Sequence, residues 1–351
     1  MNFASDNVYG ASPEILKAVM AANTGTCPSY GEDAHTVRLN ELLRDVFETD
    51  LIAYPVITGS AANALALSAL CPPHGVVYSH DGAHVFEDEC NGPEFFTGGA
   101  KIYPVEGAGG KIDPDALRHA MGRFVRGFDH HPQPSALTVT NATEWGTIYR
   151  PDEVRVLTDM AREFQCRTHM DGTRFANAVA GSGCSPADLT WRSGIDAMSL
   201  GATKNGALGA ELVIFFDRSL ADNFLFRRKR AGHTISKLRF LSAQLVAYFE
   251  QDHWLDNARH ANAMAAKLAS GFSGMPGFEL VAPCQANEVF VKMPADVAER
   301  LRAAGAVFHN WPSGGDNCIR LVTSFAADEG DIDQVLALAA DGMQEPRTAV
   351  S

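Results

Sequence analysis

One lysine stands out in the sequence because of its surroundings. Lys204 lies in the stretch SLGATKNGALG, among small residues and glycines, directly after the apolar run DAMSL. A partly desolvated lysine at the end of a strand can act as a nucleophile toward a carbonyl group. The neighbouring glycines permit a bulky ligand to approach closely. Lys204 is therefore a candidate nucleophile, and the alternative is an ordinary solvated surface lysine.

A carboxylate and an arginine follow the preceding candidate strand. In HMDGTRF, His169 and Asp171 fall on one face of a strand that ends at Gly172, and Arg174 follows as the chain turns. Ligands of open α/β sheets bind beyond the carboxyl ends of the strands. Asp171 and Arg174 are therefore placed to reach a ligand. The alternative is a surface Asp–Arg pair that caps a turn.

A third candidate site precedes an alanine-rich segment. TGSAAN, residues 58–63, lies directly between the candidate strand LIAYPVI and a candidate helix. Gly59 allows a tight turn, and the free N–H groups and the Ser60 hydroxyl at the helix start would bind an anion such as phosphate. An ordinary helix N-cap has the same pattern, so this signal is weak when taken alone.

The overall composition favours a small-molecule ligand over a polymeric partner. The chain of 351 residues has 29 basic and 42 acidic residues, which gives a formal net charge of −13. Nucleic acids and acidic membranes bind positive surfaces, so we expect neither as a partner. No apolar run approaches the roughly 20 residues that a membrane helix requires. The composition predicts a soluble protein.

The cysteines indicate a reducing compartment. There are seven, an odd number, with no CxxC pair and no secretory signal in MNFASDNVYG. Disulfide frameworks are built from even numbers of cysteines in secreted chains. We therefore expect a cytoplasmic protein, and we expect no metal site.

The elements that must position these residues follow an α/β pattern. From about 50 to 216, runs rich in β-branched and aromatic residues alternate with helix-length segments, which predicts a mainly parallel sheet with helices on its faces. The strand candidates are LIAYPVI, VVYSH, AKIYPV, ALTVTN, CRTHMD, DAMSLGA and ELVIFF. The helix candidates include SAANALALSAL, DPDALRHAMGRFV and PDEVRVLTDMAREF. We expect a seven-stranded sheet in a large domain over 1–250.

The C-terminal part changes character. The short strand candidates GFELV, EVFVKM, AVFHN and IRLVTSF stand beside the helix candidates ADVAERLRAAG and DEGDIDQVLALAADGM. This mixture predicts a small α+β domain over 251–351.

Together, the lysine, the carboxylate and the glycine-led anion site form the set that pyridoxal 5′-phosphate requires. Its aldehyde needs a lysine, and its ring nitrogen needs an acidic partner. The chain resembles the low-specificity L-threonine aldolases, in the β-eliminating lyase group of the aspartate-aminotransferase-like (fold type I) enzymes. The resemblance covers nearly the whole chain, through FASDN, YGED, GSAANALAL, AHVFEDE, GPEFF, HMDGTRF, GATKNGA, SKLRFLSA and IRLVTSF.

This resemblance implies roles for the cofactor-binding residues. Lys204 would form the Schiff base with pyridoxal 5′-phosphate, Asp171 would pair with the protonated ring nitrogen, and Arg174 would reach the phenolic oxygen. His84 would stack on the ring, although an ordinary loop histidine is the alternative. The residues implied for the phosphate are Gly59, Ser60 and Ala61, with Arg228 or Lys229 contributed by this chain or by a neighbouring subunit.

The resemblance also implies the substrate contacts. Arg320 would bind the amino-acid carboxylate with help from Ser5, although an outward arginine on an edge strand is the alternative. Glu89 is a candidate proton-relay or orienting group. Tyr30 and the Arg228–Lys229 pair would complete a neighbour's site. The resemblance therefore implies a homotetramer built from dimers.

The implied activity is aldol cleavage of L-threonine, L-allo-threonine and other L-β-hydroxy-α-amino acids to glycine and an aldehyde. One motif departs from the family: many relatives have Glu-Asn-Thr-His-Asn after the fourth strand, where this chain reads TNATEWGT. The base must then be Thr143, Glu144, His84 or water. The alternatives are a phenylserine-type aldolase, a β-eliminating lyase, and a non-catalytic ligand-binding relative.

Overall fold

A seven-stranded sheet forms the centre of the larger part of the molecule. The computed structural model describes residues 1–341. The strands are β1 (Ile52–Val56), β2 (Gly75–His80), β3 (Lys101–Val105), β4 (Gln133–Thr140), β5 (Arg167–Gly172), β6 (Ala197–Gly201) and β7 (Glu211–Phe215). Their order is β1-β7-β6-β5-β4-β2-β3. The five strands β2 to β6 are parallel to one another, and β7 is antiparallel to both of its neighbours, β6 and β1. The predicted mainly parallel, seven-stranded α/β sheet is confirmed.

Helices cover both faces of this sheet. They are α1 (Pro13–Ala22), α2 (Ala34–Phe47), α3 (Gly59–Leu70), α4 (His84–Glu87), α5 (Gly92–Thr97), α6 (Pro114–Gly122), α7 (Pro151–Glu163), α8 (Phe175–Ser182), α9 (Pro186–Leu189), α10 (Phe224–Arg230) and α11 (Arg239–Phe249). Alternate residues of β7 enter different cores: Leu212 packs in one, and Val213 packs in the other with α3. A strand buried on both faces reads as a continuous apolar run, which is why ELVIFF shows no polar alternation.

The register of the strands brings the candidate residues to one edge. Asp171 lies opposite Thr140 of β4 and Ser199 of β6. Glu211, the first residue of β7, lies opposite both Gly201 and Val56. The carboxyl ends of β1, β5 and β6 therefore meet the start of β7, and ligands of such sheets bind at this edge.

A second, antiparallel sheet has its own core. Its strands, in the order β10-β11-β9-β8, are β8 (Glu279–Leu280), β9 (Glu288–Lys292), β10 (His309–Asn310) and β11 (Cys318–Val322). They pack with α12 (His253–Ser273), α13 (Ala295–Ala303) and α14 (Glu329–Asp341). Residues 342–343 of the last predicted helix lie outside the described residues.

The two cores share two segments of the chain. Along α12, Trp254 packs in the core of the large sheet and Phe272 packs in that of the small sheet. Phe3 also packs in the second core, and Asn2 bridges Val307. The boundary between residues 250 and 251 stays a prediction. Within residues 1–341, no helix is long and apolar enough to cross a membrane.

Candidate active site

Two adjoining cavities open at the sheet edge. The first, of about 260 Å³, is bordered by Gly59, Ser60, Glu89 and Glu211. The second, of about 860 Å³, is bordered by Ser5, Glu144, Arg174, Glu288 and Arg320. Asn7, His84 and Lys204 line both. The cavities therefore form one cleft, and Lys204 lies where they join.

The turn that carries Lys204 is held from several sides. It is a single 3₁₀ turn, Thr203–Asn205, directly after β6. The Asn205 amide donates to the Tyr248 hydroxyl at 2.9 Å and to the Trp254 carbonyl at 2.8 Å. The Glu211 carboxylate accepts the Ala202 N–H at 2.8 Å. Buried hydrogen bonds of this kind fix the backbone beneath a side chain, so the position of Lys204 is preorganised.

The amine of Lys204 has no ion-pair or hydrogen-bond partner among residues 1–341. Burial lowers the pKa of Lys204, and the nearby Arg174 charge lowers it further. Burial disfavours the ammonium form because a charge is poorly solvated there. The side chain is therefore shifted toward the neutral, nucleophilic amine.

Asp171 is buried with both carboxylate oxygens occupied. Oδ1 accepts the Thr173 N–H at 3.0 Å and the Thr173 hydroxyl at 2.7 Å, and Oδ2 accepts the Asn63 amide at 2.8 Å. Burial alone would raise the pKa of Asp171, but the Thr173 hydrogen bonds and the His84 charge hold it below its usual value. Asp171 is thus an ionised carboxylate in a fixed orientation.

His84 is tied to Asp171 through two other side chains. Its Nδ1 lies 2.9 Å from Oε1 of Glu89, and the same oxygen accepts the Asn63 amide at 2.8 Å. The hydrogen bond to Glu89 raises the pKa of His84. The ring is 41% exposed, so it borders the cleft while Glu89 is buried behind it. Glu89 therefore orients His84.

The start of α3 presents unused donors to the first cavity. The Ala61 N–H donates to the Thr58 hydroxyl at 3.2 Å. Within the described chain, the Gly59 and Ser60 N–H groups have no such partner. A Cβ atom placed on Gly59 would have only the Thr173 hydroxyl near it, at 3.7 Å, so the space beside this helix start is open. A helix start with free N–H groups favours an anion.

Two arginines and two carboxylates occupy the far side of the second cavity. Arg174 donates to Asp6 at 2.8 Å and lies 3.4 Å from Glu288, while Arg320 lies 3.9 Å from Glu288. Burial raises the pKa of Glu288, and neither of its oxygens has a hydrogen bond among the described residues. The Arg320 guanidinium lies 4.9 Å from the centroid of the Trp311 ring. This cluster is balanced in charge but loosely bonded.

These side chains fit pyridoxal 5′-phosphate. An amine without a partner and a helix start with free N–H groups border one cleft, and Asn63, which also lines it, donates to the ionised Asp171 carboxylate. They correspond to the aldehyde, the ring nitrogen and the phosphate of that cofactor. Lys204, Asp171, Gly59 and Ser60 would hold it.

The comparisons with known proteins identify the family of the chain. Residues 2–296 match the family model described as beta-eliminating lyase. The chain belongs to the beta-eliminating lyase family. The resemblance seen in the sequence is therefore confirmed, and with it the lyase class.

Similar proteins of this family cover nearly the whole chain. A low specificity L-threonine aldolase from Pseudomonas sp. (strain NCIMB 10558) is 42% identical over 95% of this chain and 96% of that protein. One from Pseudomonas aeruginosa is 41% identical over 97% and 96%. The structure of Leishmania major threonine aldolase has a TM-score of 0.90 over 96% of this chain and 98% of that one, at 24% identity. That structure shares the fold.

Three predicted site residues of this beta-eliminating lyase lie apart from Lys204 within the chain. Tyr30 and Arg228 border a separate cavity of about 300 Å³. The Lys229 amine lies 5.6 Å from the centroid of the Tyr30 ring. Arg228 is buried, and its Nη2 has no hydrogen-bond partner among residues 1–341. Their roles toward cofactor and substrate stay predictions.

Sequence reasoning gave no role to four polar residues at the site of this lyase, namely Asp6, Asn63, Glu211 and Glu288. Asp6 and Asn63 stand inside motifs that carried the resemblance. Glu211 and Glu288 each open an apolar strand, ELVIFF and EVFVKM. A buried acid needs a partner, so an acidic residue at the start of an apolar strand is a signal that could have found both.

Proposed function

We propose that the protein is a pyridoxal-phosphate-dependent aldolase that cleaves L-threonine and L-allo-threonine, with other L-β-hydroxy-α-amino acids, to glycine and an aldehyde. The position of Lys204 supports this most directly. Its free amine lies between the α3 start, where a phosphate fits, and Arg320, where a carboxylate fits. Relatives at 41–42% identity carry the name low specificity L-threonine aldolase.

The residues of the cleft divide the work of this reaction. When bound, the cofactor supplies an electron sink for the pair released at the substrate's Cα. Asp171 keeps a proton on the ring nitrogen because it is held ionised. Arg320 binds the substrate carboxylate through its planar fork and thereby sets the direction of the Cα–Cβ bond. Lys204 would hold the cofactor aldehyde before the substrate amine does, and its amine would be available to return a proton to Cα.

Product analysis tests this proposal. The purified protein with pyridoxal 5′-phosphate should convert L-threonine to glycine and acetaldehyde. Ammonia and a keto acid would instead identify a β-eliminating reaction. A protein that binds the cofactor, as judged by its visible absorption, but releases no product from any β-hydroxy amino acid would be the non-catalytic relative.

Aromatic side chains favour a second candidate substrate. Trp145, Trp311 and Phe86 border the second cavity, as Arg320 does. Trp145 and Trp311 pack edge to face with ring centroids 5.9 Å apart. Aromatic walls stabilise aromatic ligands beyond simple area burial. A phenyl group on Cβ, as in phenylserine, would contact these aromatic side chains over a larger area than the methyl group of threonine.

The assembly that we propose is a homotetramer built from dimers. Buried Arg228 lacks an anionic partner within the described chain, and Tyr30 and Leu225 are exposed beside it. These features suit a surface that meets a neighbour's cofactor phosphate. Sedimentation of the active protein should give a tetramer, whereas a fully active monomer would refute this.

We place the enzyme in the cytoplasm, in keeping with seven free cysteines.

A further inference from the structure

Glu144 follows β4 in the segment where the chain departs from its family, and it lines the second cavity. Its Oε1 accepts the His84 N–H at 2.8 Å and the Thr140 hydroxyl at 3.0 Å. Its Oε2 is buried and has no hydrogen-bond partner among residues 1–341. One oxygen is therefore fixed by the fold, and the other is left for a ligand.

Two other residues that could interact with the substrate at this position, Thr143 and His84, are already hydrogen-bonded to other groups. The Thr143 hydroxyl donates toward the Gly109 carbonyl at 3.2 Å, pairs with the Thr147 hydroxyl at 2.8 Å and accepts the Trp145 N–H. The His84 ring gives Nδ1 to Glu89, and this hydrogen bond raises the pKa of His84. A histidine with a raised pKa is protonated in a larger fraction of molecules at neutral pH, so less of it is free to accept a proton.

We propose that Glu144 is the catalytic base that removes the proton of the substrate's β-hydroxyl group. This inference rests on the proposed aldolase function. As Oε2 takes the proton, the Cβ–O bond becomes a carbonyl, the Cα–Cβ bond breaks, and its electron pair passes to the cofactor's electron sink. The aldehyde leaves, Lys204 donates a proton to Cα, and the proton held by Glu144 returns through water to the Lys204 amine. Protons and electrons balance over the cycle.

The electrostatic surroundings of Glu144 suit this task. Burial raises the pKa of Glu144 to about 7, and the nearby Asp171 charge also raises it. A base works best when its pKa lies near the working pH. The charged or titratable groups at this part of the cleft are His80, Asp81, His84, Glu87, Asp88, Asp171, Arg174, Lys204, Glu288 and Arg320.

Glu144→Gln is the decisive variant. The amide oxygen can still accept from His84 and Thr140, and only the basic oxygen is replaced. Threonine cleavage by Glu144→Gln should fall by at least about 10²-fold, as expected for loss of a general base. Exchange of the glycine α-proton into deuterated water needs Lys204 and Arg320 but no β-hydroxyl, so it should persist at the wild-type rate.

Glu106→Gln is the control, because exposed Glu106 loses the same charge but does not border the cleft. It should leave both reactions unchanged. Glu144→Asp should restore part of the cleavage. In cofactor-free protein, infrared spectra should show two carboxyl groups, Glu144 and Glu211, that titrate near pH 7, and Glu144→Gln should remove one of them while Glu211 remains.

Three results would overturn the inference: wild-type cleavage by Glu144→Gln, equal loss of cleavage and exchange, or an infrared carboxyl titration near pH 7 that Glu144→Gln does not reduce. A wild-type protein that exchanges glycine protons yet cleaves no β-hydroxy amino acid would contradict the proposed function itself. The two failures are thus distinguishable.

Discussion

The two cavities of the cleft hold their charged groups in different ways. Around the first, every charged oxygen of Asp171 has a hydrogen-bond donor, and the Lys204 turn is fixed by Asn205 and Glu211. Around the second, Glu288 has none and Glu144 has one free oxygen. The cofactor end is therefore rigid in advance, whereas the substrate end is balanced in charge and keeps groups free for the substrate.

The largest expected effect on activity is at the cofactor end of the cleft. Lys204→Ala should reduce threonine cleavage by more than about 10³-fold, because amine exchange and proton transfer both depend on this side chain. The variant should still bind pyridoxal 5′-phosphate but lack the visible band of the lysine-bound form. Exposed Lys237 provides the control substitution. Borohydride labelling of wild-type protein on Lys229 or Lys237 would move the site.

At the substrate end, Arg320→Lys should weaken threonine cleavage by about 10- to 100-fold, the range expected for loss of a charged hydrogen bond. Lysine keeps the charge but not the planar fork, so kcat and the apparent affinity should both decrease. Cofactor binding should not change, as measured by visible absorption. Wild-type kinetics in this variant would place the carboxylate site elsewhere.

A smaller effect is expected at the aromatic wall. Phe86→Ala should lower the preference for phenylserine over threonine by about 2- to 10-fold, the contribution of one aromatic pair. The ratio of kcat/KM values measures this directly and cancels any general loss of activity. Phe95 is more exposed and does not border the cleft, so Phe95→Ala is the matched control. Equal ratios in both variants would argue against an aromatic subsite.

The smallest effect on activity concerns Glu211, which supports the Lys204 turn. Burial raises the pKa of Glu211 from 4.5 to about 7. A raised folded-state pKa stabilises the fold at low pH, so this stabilisation, on the order of 3 kcal/mol, is lost as pH rises from about 4.5 to about 7.

Urea unfolding of the cofactor-free protein at these two pH values measures the loss. Glu211→Gln should reduce the pH dependence, of which Glu144 contributes a remaining part, while leaving the Ala202 hydrogen bond possible. Glu163 is exposed and paired with Arg118, and its pKa is lowered, so Glu163→Gln should leave the slope unchanged. An unaltered slope in Glu211→Gln would show that Glu211 is ionised throughout.

The rigid end was the more predictable from sequence. Lys204 and Asp171 stand at the ends of apolar strands, where the chain pattern and the sheet-edge rule locate them. The substrate end depends on contacts between distant segments: Arg174 and Asp6 are 168 positions apart in the sequence. Local patterns carry no information on such pairs. Glu288 was missed for this reason, although its place at the start of an apolar strand is a usable signal.

The N-terminal segment has a practical consequence for library design. Phe3 is anchored in the second core, Ser5 and Asn7 border the cleft, and Asp6 binds Arg174. Diversity meant to change substrate preference should therefore include positions 5 and 7 together with Phe86 and Trp145. Phe3 and Asp6 should not be varied, because their contacts hold the N-terminal segment that carries positions 5 and 7.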